Sequence, residues 1–137
     1  MSALGNKSVR FQALCFGADR SDYSVDVGFE MDALPGRDSR GLLVSRAAPE
    51  HPEEDAGIYV EFGEPQQHCT VGGIHAVVSR PGYFSIQFTE KGTRNMAGFR
   101  LIEVDYDAAS KEVPDLLDAL DYIFAELPGY AHQRDSV

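Results

Sequence analysis

Between Gly57 and Tyr106 the chain alternates apolar and polar residues in four separate runs, and this alternation constrains the fold more than any other feature. Ile58, Val60 and Phe62 alternate with Tyr59, Glu61 and Gly63, and Ile74, Ala76 and Val78 with His75, Val77 and Ser79. Phe84, Ile86 and Phe88 alternate with Ser85, Gln87 and Thr89, and Ile102, Val104 and Tyr106 with Glu103 and Asp105. A period of two sends successive side chains to opposite faces of a pleated strand. Arg80-Pro81-Gly82 has the composition of a tight turn and makes the second and third runs a hairpin. The stretch predicts four neighbouring antiparallel strands with one buried face. It specifies a scaffold and names no reaction.

Upstream, Val9–Phe16 and Tyr23–Met31 alternate in the same way, and the polar segment Gly17–Asp22 between them reads as the turn of a hairpin. In the second run Tyr23, Val25, Val27 and Phe29 are expected to face inward and Ser24, Asp26 and Glu30 outward. Pro35-Gly36 marks a turn, and Gly41–Arg46 reads as a short strand. Glu64–Thr70 reads as a polar connection, and Glu90–Met96, ended by Gly98, as a short helical turn. Downstream, Val113, Leu116, Leu117, Leu120, Ile123, Phe124 and Leu127 recur at steps of three and four, one helical stripe over 110–127. Pro114 is tolerable within the first turn, and Pro128-Gly129 ends the helix. The expected fold is α+β: one domain over 1–137, a largely antiparallel sheet of six to seven strands, and one C-terminal amphipathic helix packed on one face. The ends, about 1–8 and 130–137, read as loose tails.

The 137 residues suit a single domain, which at this size buries roughly two-thirds of its unfolded surface. The N-terminus has no apolar segment of the signal-peptide kind, and no apolar run approaches the ~20 residues that span a bilayer, so a cytoplasmic location is expected. Cys15 and Cys69 are too few to frame a disulfide-stapled fold and are expected to be free, buried thiols. Twelve Lys and Arg against 22 Asp and Glu give a net charge of −10, a field that repels nucleic acid and anionic membranes and favours a basic partner.

Catalytic signatures are missing from the sequence. Gly72-Gly73 lacks the Lys-Ser/Thr of a phosphate-binding loop and opens a strand, and no G-x-S-x-G elbow occurs. His68, Cys69 and His75 fall short of a zinc site, which needs three or four converging ligands, and Cys69 has no evident third group to complete a thiol–imidazole pair. Glu61, Glu103 and Asp105 could form a carboxylate pair for acid–base work, but solvated outer-face residues are the simpler reading. No cofactor and no metal is expected.

Several segments resemble the immunity protein 10 family, small bacterial proteins encoded beside polymorphic toxins. They are Tyr59-Val60-Glu61, Gly72-Gly73-Ile74, the Ser79-Arg80 turn, Phe88-Thr89-Glu90-Lys91-Gly92, Ile102-Glu103-Val104-Asp105-Tyr106 and the acidic amphipathic helix that follows. The resemblance runs from about Phe11 to Phe124. It implies function by binding, with no catalytic residues: a cognate toxin held inactive in the cytoplasm of the producing cell.

The expected toxin contacts are Glu50, Glu53, Glu54 and Asp55, four carboxylates in the proline-bounded segment 47–56, with Tyr59 and Glu61 on the strand that follows. Glu103 and Asp105 form a second acidic cluster. The sequence leaves four matters open: the identity and activity of the toxin, the surface that binds it, the order of the strands, and monomer against homodimer. It also leaves alternatives to immunity, a small ligand-binding or stress-related α+β module or an enzyme using a carboxylate pair.

Overall fold

Phe29 stacks on Phe84 with ring centroids 5.2 Å apart, and the two rings come from different sheets. The computed structural model describes residues 7–32, 40–52, 57–63 and 67–133. Among these described residues ten strands and two helices follow one another as β1 (Lys7–Gln12), β2 (Cys15–Arg20), β3 (Ser24–Asp32), β4 (Arg40–Ala47), β5 (Tyr59–Gly63), β6 (Gln67–Val71), β7 (Ile74–Arg80), β8 (Tyr83–Phe88), α1 (Glu90–Asn95), β9 (Phe99–Asp105), α2 (Val113–Phe124) and β10 (Tyr130–His132). The strands form two five-stranded sheets, β1-β9-β8-β7-β10 and β2-β3-β4-β5-β6. The α+β class stands, while the single sheet of six to seven strands is corrected to two sheets. Pairing is antiparallel except for β1 with β9 and β10 with β7.

The expected first strand is divided. The Ala13 amide donates to Asp105 in the first sheet, and the next amide, of Leu14, donates to Glu30 in the second. The chain thus changes sheets within two residues, and the alternation restarts. Phe11 and Ala13 are buried, Leu14 is 64% exposed, and Phe16 turns inward onto Tyr106 at 4.8 Å between ring centroids. Cys15 is therefore exposed, which corrects its expected burial. The hairpin itself is present, but β2 runs through Gly17–Arg20, residues expected in a turn, and the bend falls at Ser21, whose hydroxyl accepts from the amides of Tyr23 and Ser24. Tyr23 lies in that bend, exposed, and not in the core.

Three further differences concern short elements. Gln67–Thr70, expected as part of a connection, forms with Val71 the edge strand β6 on β5, and Cys69 is exposed on it, which corrects its expected burial. Tyr130–His132, expected in a tail, is β10 on the open edge of β7, so α2 is not the last element. Lys7 and Ser8, expected in a loose tail, belong to β1, and the rest of that expected tail lies outside the described residues. The β7–β8 hairpin closes through Pro81-Gly82 as expected, and α1 occupies the expected short helical turn, with Thr89 as its N-cap. The expected Pro35-Gly36 turn lies outside the described residues.

The core lies between the sheets, built from Val25, Val27, Phe29, Leu42, Val44, Val60 and Phe62 on one side and Val77, Phe84, Ile86, Phe88, Ile102 and Val104 on the other. Helix α2 closes it against β2, β3, β4 and β7. Val113, Leu116, Leu117, Leu120, Ile123 and Phe124 are buried, as the stripe predicts, Ala119 joins them, Leu127 lies beyond the helix and is half-buried, and Phe124 sits against both Phe84 and Tyr130.

Candidate functional site

With both inner faces committed to the core, the sheets are left with two outer faces for contact with other molecules, and the register determines what each displays. On the β1-β9-β8-β7-β10 sheet, the outer side of β9 carries Glu103 and Asp105, both half-buried and alternating with the core residues Ile102, Val104 and Tyr106. Arg10, from the adjacent β1, donates to both oxygens of Asp105, Nε to Oδ2 at 2.7 Å and Nη2 to Oδ1 at 2.9 Å, and lies 3.9 Å from Glu103. This fork holds the Asp105 carboxyl below its usual range, chiefly through the hydrogen bond itself. The Tyr83 hydroxyl donates to Glu103 at 2.6 Å, and the Tyr83 ring lies beneath both Arg80 (4.4 Å) and Arg10 (5.5 Å). Burial, then the Glu103 carboxylate, raises the Tyr83 pKa. The two acids expected to contact a toxin here are thus already engaged by the chain's own arginines and tyrosine.

The outer face of the β2-β3-β4-β5-β6 sheet differs. Its side chains fall in rows across the strands: Cys15, Glu30 and Gly41; then Gly17, Gly28, Leu43, Glu61 and Cys69; then Asp19, Asp26, Ser45, Tyr59 and Val71. Four carboxylates, Asp19, Asp26, Glu30 and Glu61, share this face, and among the described residues no cationic side chain forms an ion pair with any of them. Two of them, Asp26 and Glu61, are bound by hydroxyl groups. The Tyr59 hydroxyl donates to Glu61 at 2.5 Å, and the hydroxyls of Ser24 and Ser45 donate to Asp26. The hydrogen bond to Glu61, with burial second, pushes the Tyr59 pKa well up. Asp19 and Asp26 face each other directly across the β2–β3 ladder.

The face also has relief. Gly17 opposes Gly28, and their missing side chains leave a hollow of about 320 Å³ lined by Cys15, Phe16, Gly17, Gly28 and Glu30. A Cβ placed on Gly28 would meet nothing within 4 Å. At the far end a second depression of about 360 Å³ lies among Tyr23, Ser24, Ser45, Arg46, Ala47, Gly57, Tyr59 and Val71. Arg46 separates it from a groove of about 420 Å³ that reaches Ile123 and Leu127. The Arg46 side chain is 16% exposed and donates to the Tyr122 carbonyl at 3.4 Å and to Glu126 at 3.5 Å, which ties β4 to the end of α2.

The expected contact residues are therefore distributed over two faces that point away from each other. Tyr59 and Glu61 lie on the uncompensated face, and Glu103 and Asp105 on the compensated one. Glu50 is exposed, close in sequence to His51, whose ring stacks on Tyr23 at 5.0 Å. Glu53, Glu54 and Asp55 lie outside the described residues. Sequence reasoning put Asp26 and Glu30 on an outward face but did not connect them to Glu61, because the connection runs through β4. It missed Asp19 by assigning it to a turn. Among the described residues there is no group of three or more His, Cys, Asp or Glu placed to hold a metal ion, and no helix long and apolar enough to cross a membrane. No protein family, curated protein or solved structure matches the chain, so the resemblance to immunity protein 10 rests on the segments quoted above.

Proposed function

We propose that the chain is a non-enzymatic binding protein that neutralises a cognate bacterial toxin in the cytoplasm by occupying a basic surface of that toxin. The observation that carries this reading is the contrast between the two outer sheet faces. One has its carboxylates bridged by arginine, and the other presents four carboxylates with which no cationic side chain among the described residues pairs. A surface of one sign steers an oppositely charged partner and speeds association, and it excludes partners of like charge. The resemblance to the immunity protein 10 family supplies the class of partner. A toxin that acts on nucleic acid has a basic substrate-binding cleft, and an acidic protein can compete for it.

The test is direct. The toxin domain encoded next to this gene is purified and its activity measured while this protein is titrated in. Stoichiometric inhibition is expected, with an association rate that falls steeply as salt is raised. A toxin that stays fully active at excess of this protein rules the reading out.

A further inference from the structure

The geometry points to the hollow at Gly17 and Gly28 as the anchor of the partner interface, a seat for an arginine side chain of a basic protein. This rests on the binding reading and specifies its surface. Two features of the face run against what stability alone selects. Like charges directly opposite across an antiparallel ladder are unfavourable, yet Asp19 faces Asp26. Glycine inside a strand forfeits packing and adds entropy to the unfolded chain, yet Gly17 faces Gly28 where added atoms at Gly28 meet open space. Both departures occur, adjacent to each other, on the sheet face whose carboxylates have no cationic partner among the described residues. Local rules are broken in this way at functional sites, where the compensation comes from a ligand.

The occupant follows from shape and charge. The peptide planes of Gly17 and Gly28 form a floor on which a planar group can lie, open above Gly28 and with the Glu112 carboxylate 4.0 Å from where a Cβ on Gly17 would stand. Glu30 borders the floor on one side and the Asp19–Asp26 pair on the other, with about 13 Å between the Cα atoms of Asp26 and Glu30 along β3. A guanidinium is planar, permanently charged and presents five donors in a fixed fork, which suits carboxylates approaching from two sides better than a compact ammonium does. A second copy of this chain would bring the same negative charge and is disfavoured as the occupant.

The test uses the full chain with a hexa-arginine peptide as probe, followed by amide chemical shifts and by calorimetric titration. Shifts centred on Gly17, Gly28 and Glu30 are expected. Gly28→Val, which fills the hollow, and Asp19→Lys, which pairs with Asp26, should each weaken peptide binding about tenfold or more while the melting temperature holds or rises. Shifts centred on Asp115 and Asp118 of α2 overturn the assignment. So does undiminished peptide binding by Gly28→Val, or by Asp19→Lys if the valine variant does not fold. A neighbouring toxin neutralised equally by the unaltered chain and both variants removes the hollow and leaves the binding reading intact. If the unaltered chain leaves that toxin active, the binding reading falls and the peptide map alone decides the surface.

Discussion

Gly73 and Gly92 touch through their backbones: a Cβ on Gly92 would lie 2.1 Å from the Gly73 carbonyl oxygen, and one on Gly73 would lie 2.8 Å from the Gly92 Cα. Gly73 has a positive φ of 72°, and its carbonyl accepts from the Thr89 amide that precedes α1. The contact fastens the β6–β7 turn to the start of α1.

Gly92→Ala therefore sets two effects against each other. Helix propensity alone favours alanine by about 1 kcal/mol. The added methyl meets backbone atoms that cannot swing aside, and overpacking of this kind destabilises by about 1–3 kcal/mol or more. Net destabilisation is expected in chemical denaturation, and a more stable Gly92→Ala protein contradicts the contact.

Removing the ring of Phe124 should be among the most damaging changes in α2. The side chain is fully buried against Phe84 and Tyr130, so Phe124→Ala should cost about 3–5 kcal/mol through lost burial and a residual cavity. Leu117→Ala, at a site 5% exposed, should cost about 2–5 kcal/mol. Equilibrium unfolding of the two variants checks both values.

Asp105 should titrate below the ordinary carboxylate value of about 3.9 because Arg10 bonds its ionised form. The folded value is depressed, so the stabilising contribution is present above about 3.9 and is lost as pH falls through the folded value. Arg10 is 57% exposed and Asp105 34%, so solvent screens the pair and the effect on stability is small. Carboxyl carbon NMR should find Asp105 late in an acid titration, and Arg10→Gln should return it to the ordinary range.

Tyr59, Tyr83 and Tyr106 should ionise above the ordinary tyrosine value of about 10, Tyr59 through its bond to Glu61 and the other two chiefly through burial. Raised folded values mean a contribution present below about 10 and lost as pH rises through them. Tyrosinate absorbance in the folded protein should lag behind that of the chain in denaturant, and Tyr59→Phe should remove part of the lag.

Both thiols are free and exposed, so an aromatic disulfide reagent should titrate Cys15 and Cys69 in the folded protein without denaturant. The double variant Cys15→Ser, Cys69→Ser should keep its melting temperature. Thiols that react only after unfolding contradict their placement on the outer face.

Periodicity alone determined much of this protein. The stripe from Val113 to Phe124 marked a helix and its buried side, and the alternation in Tyr23–Met31, Ile58–Phe62, Phe84–Phe88 and Ile102–Tyr106 separated core residues from outward ones, with Tyr23 exposed and Ser85 buried as the exceptions; in Ile74–Ser79 a register shift after Ile74 buries Val77 and Ser79 instead of Ala76 and Val78. Those signals are local, since a side chain's face follows from the backbone repeat wherever the strand sits. Which strand lies beside which is not local. The step between sheets at Ala13-Leu14, the recruitment of Gln67–Val71 and Tyr130–His132 to open edges, and the rows that join Asp19, Asp26, Glu30 and Glu61 all depend on hydrogen bonds between segments distant in sequence. The same holds for the charge. Glu61, Glu103 and Asp105 look alike in the sequence, and only the tertiary structure brings Arg10 to Asp105 and Glu103 and leaves Glu61 with a hydroxyl, because a charge is compensated by what lies across the ladder and not by what precedes it in the chain.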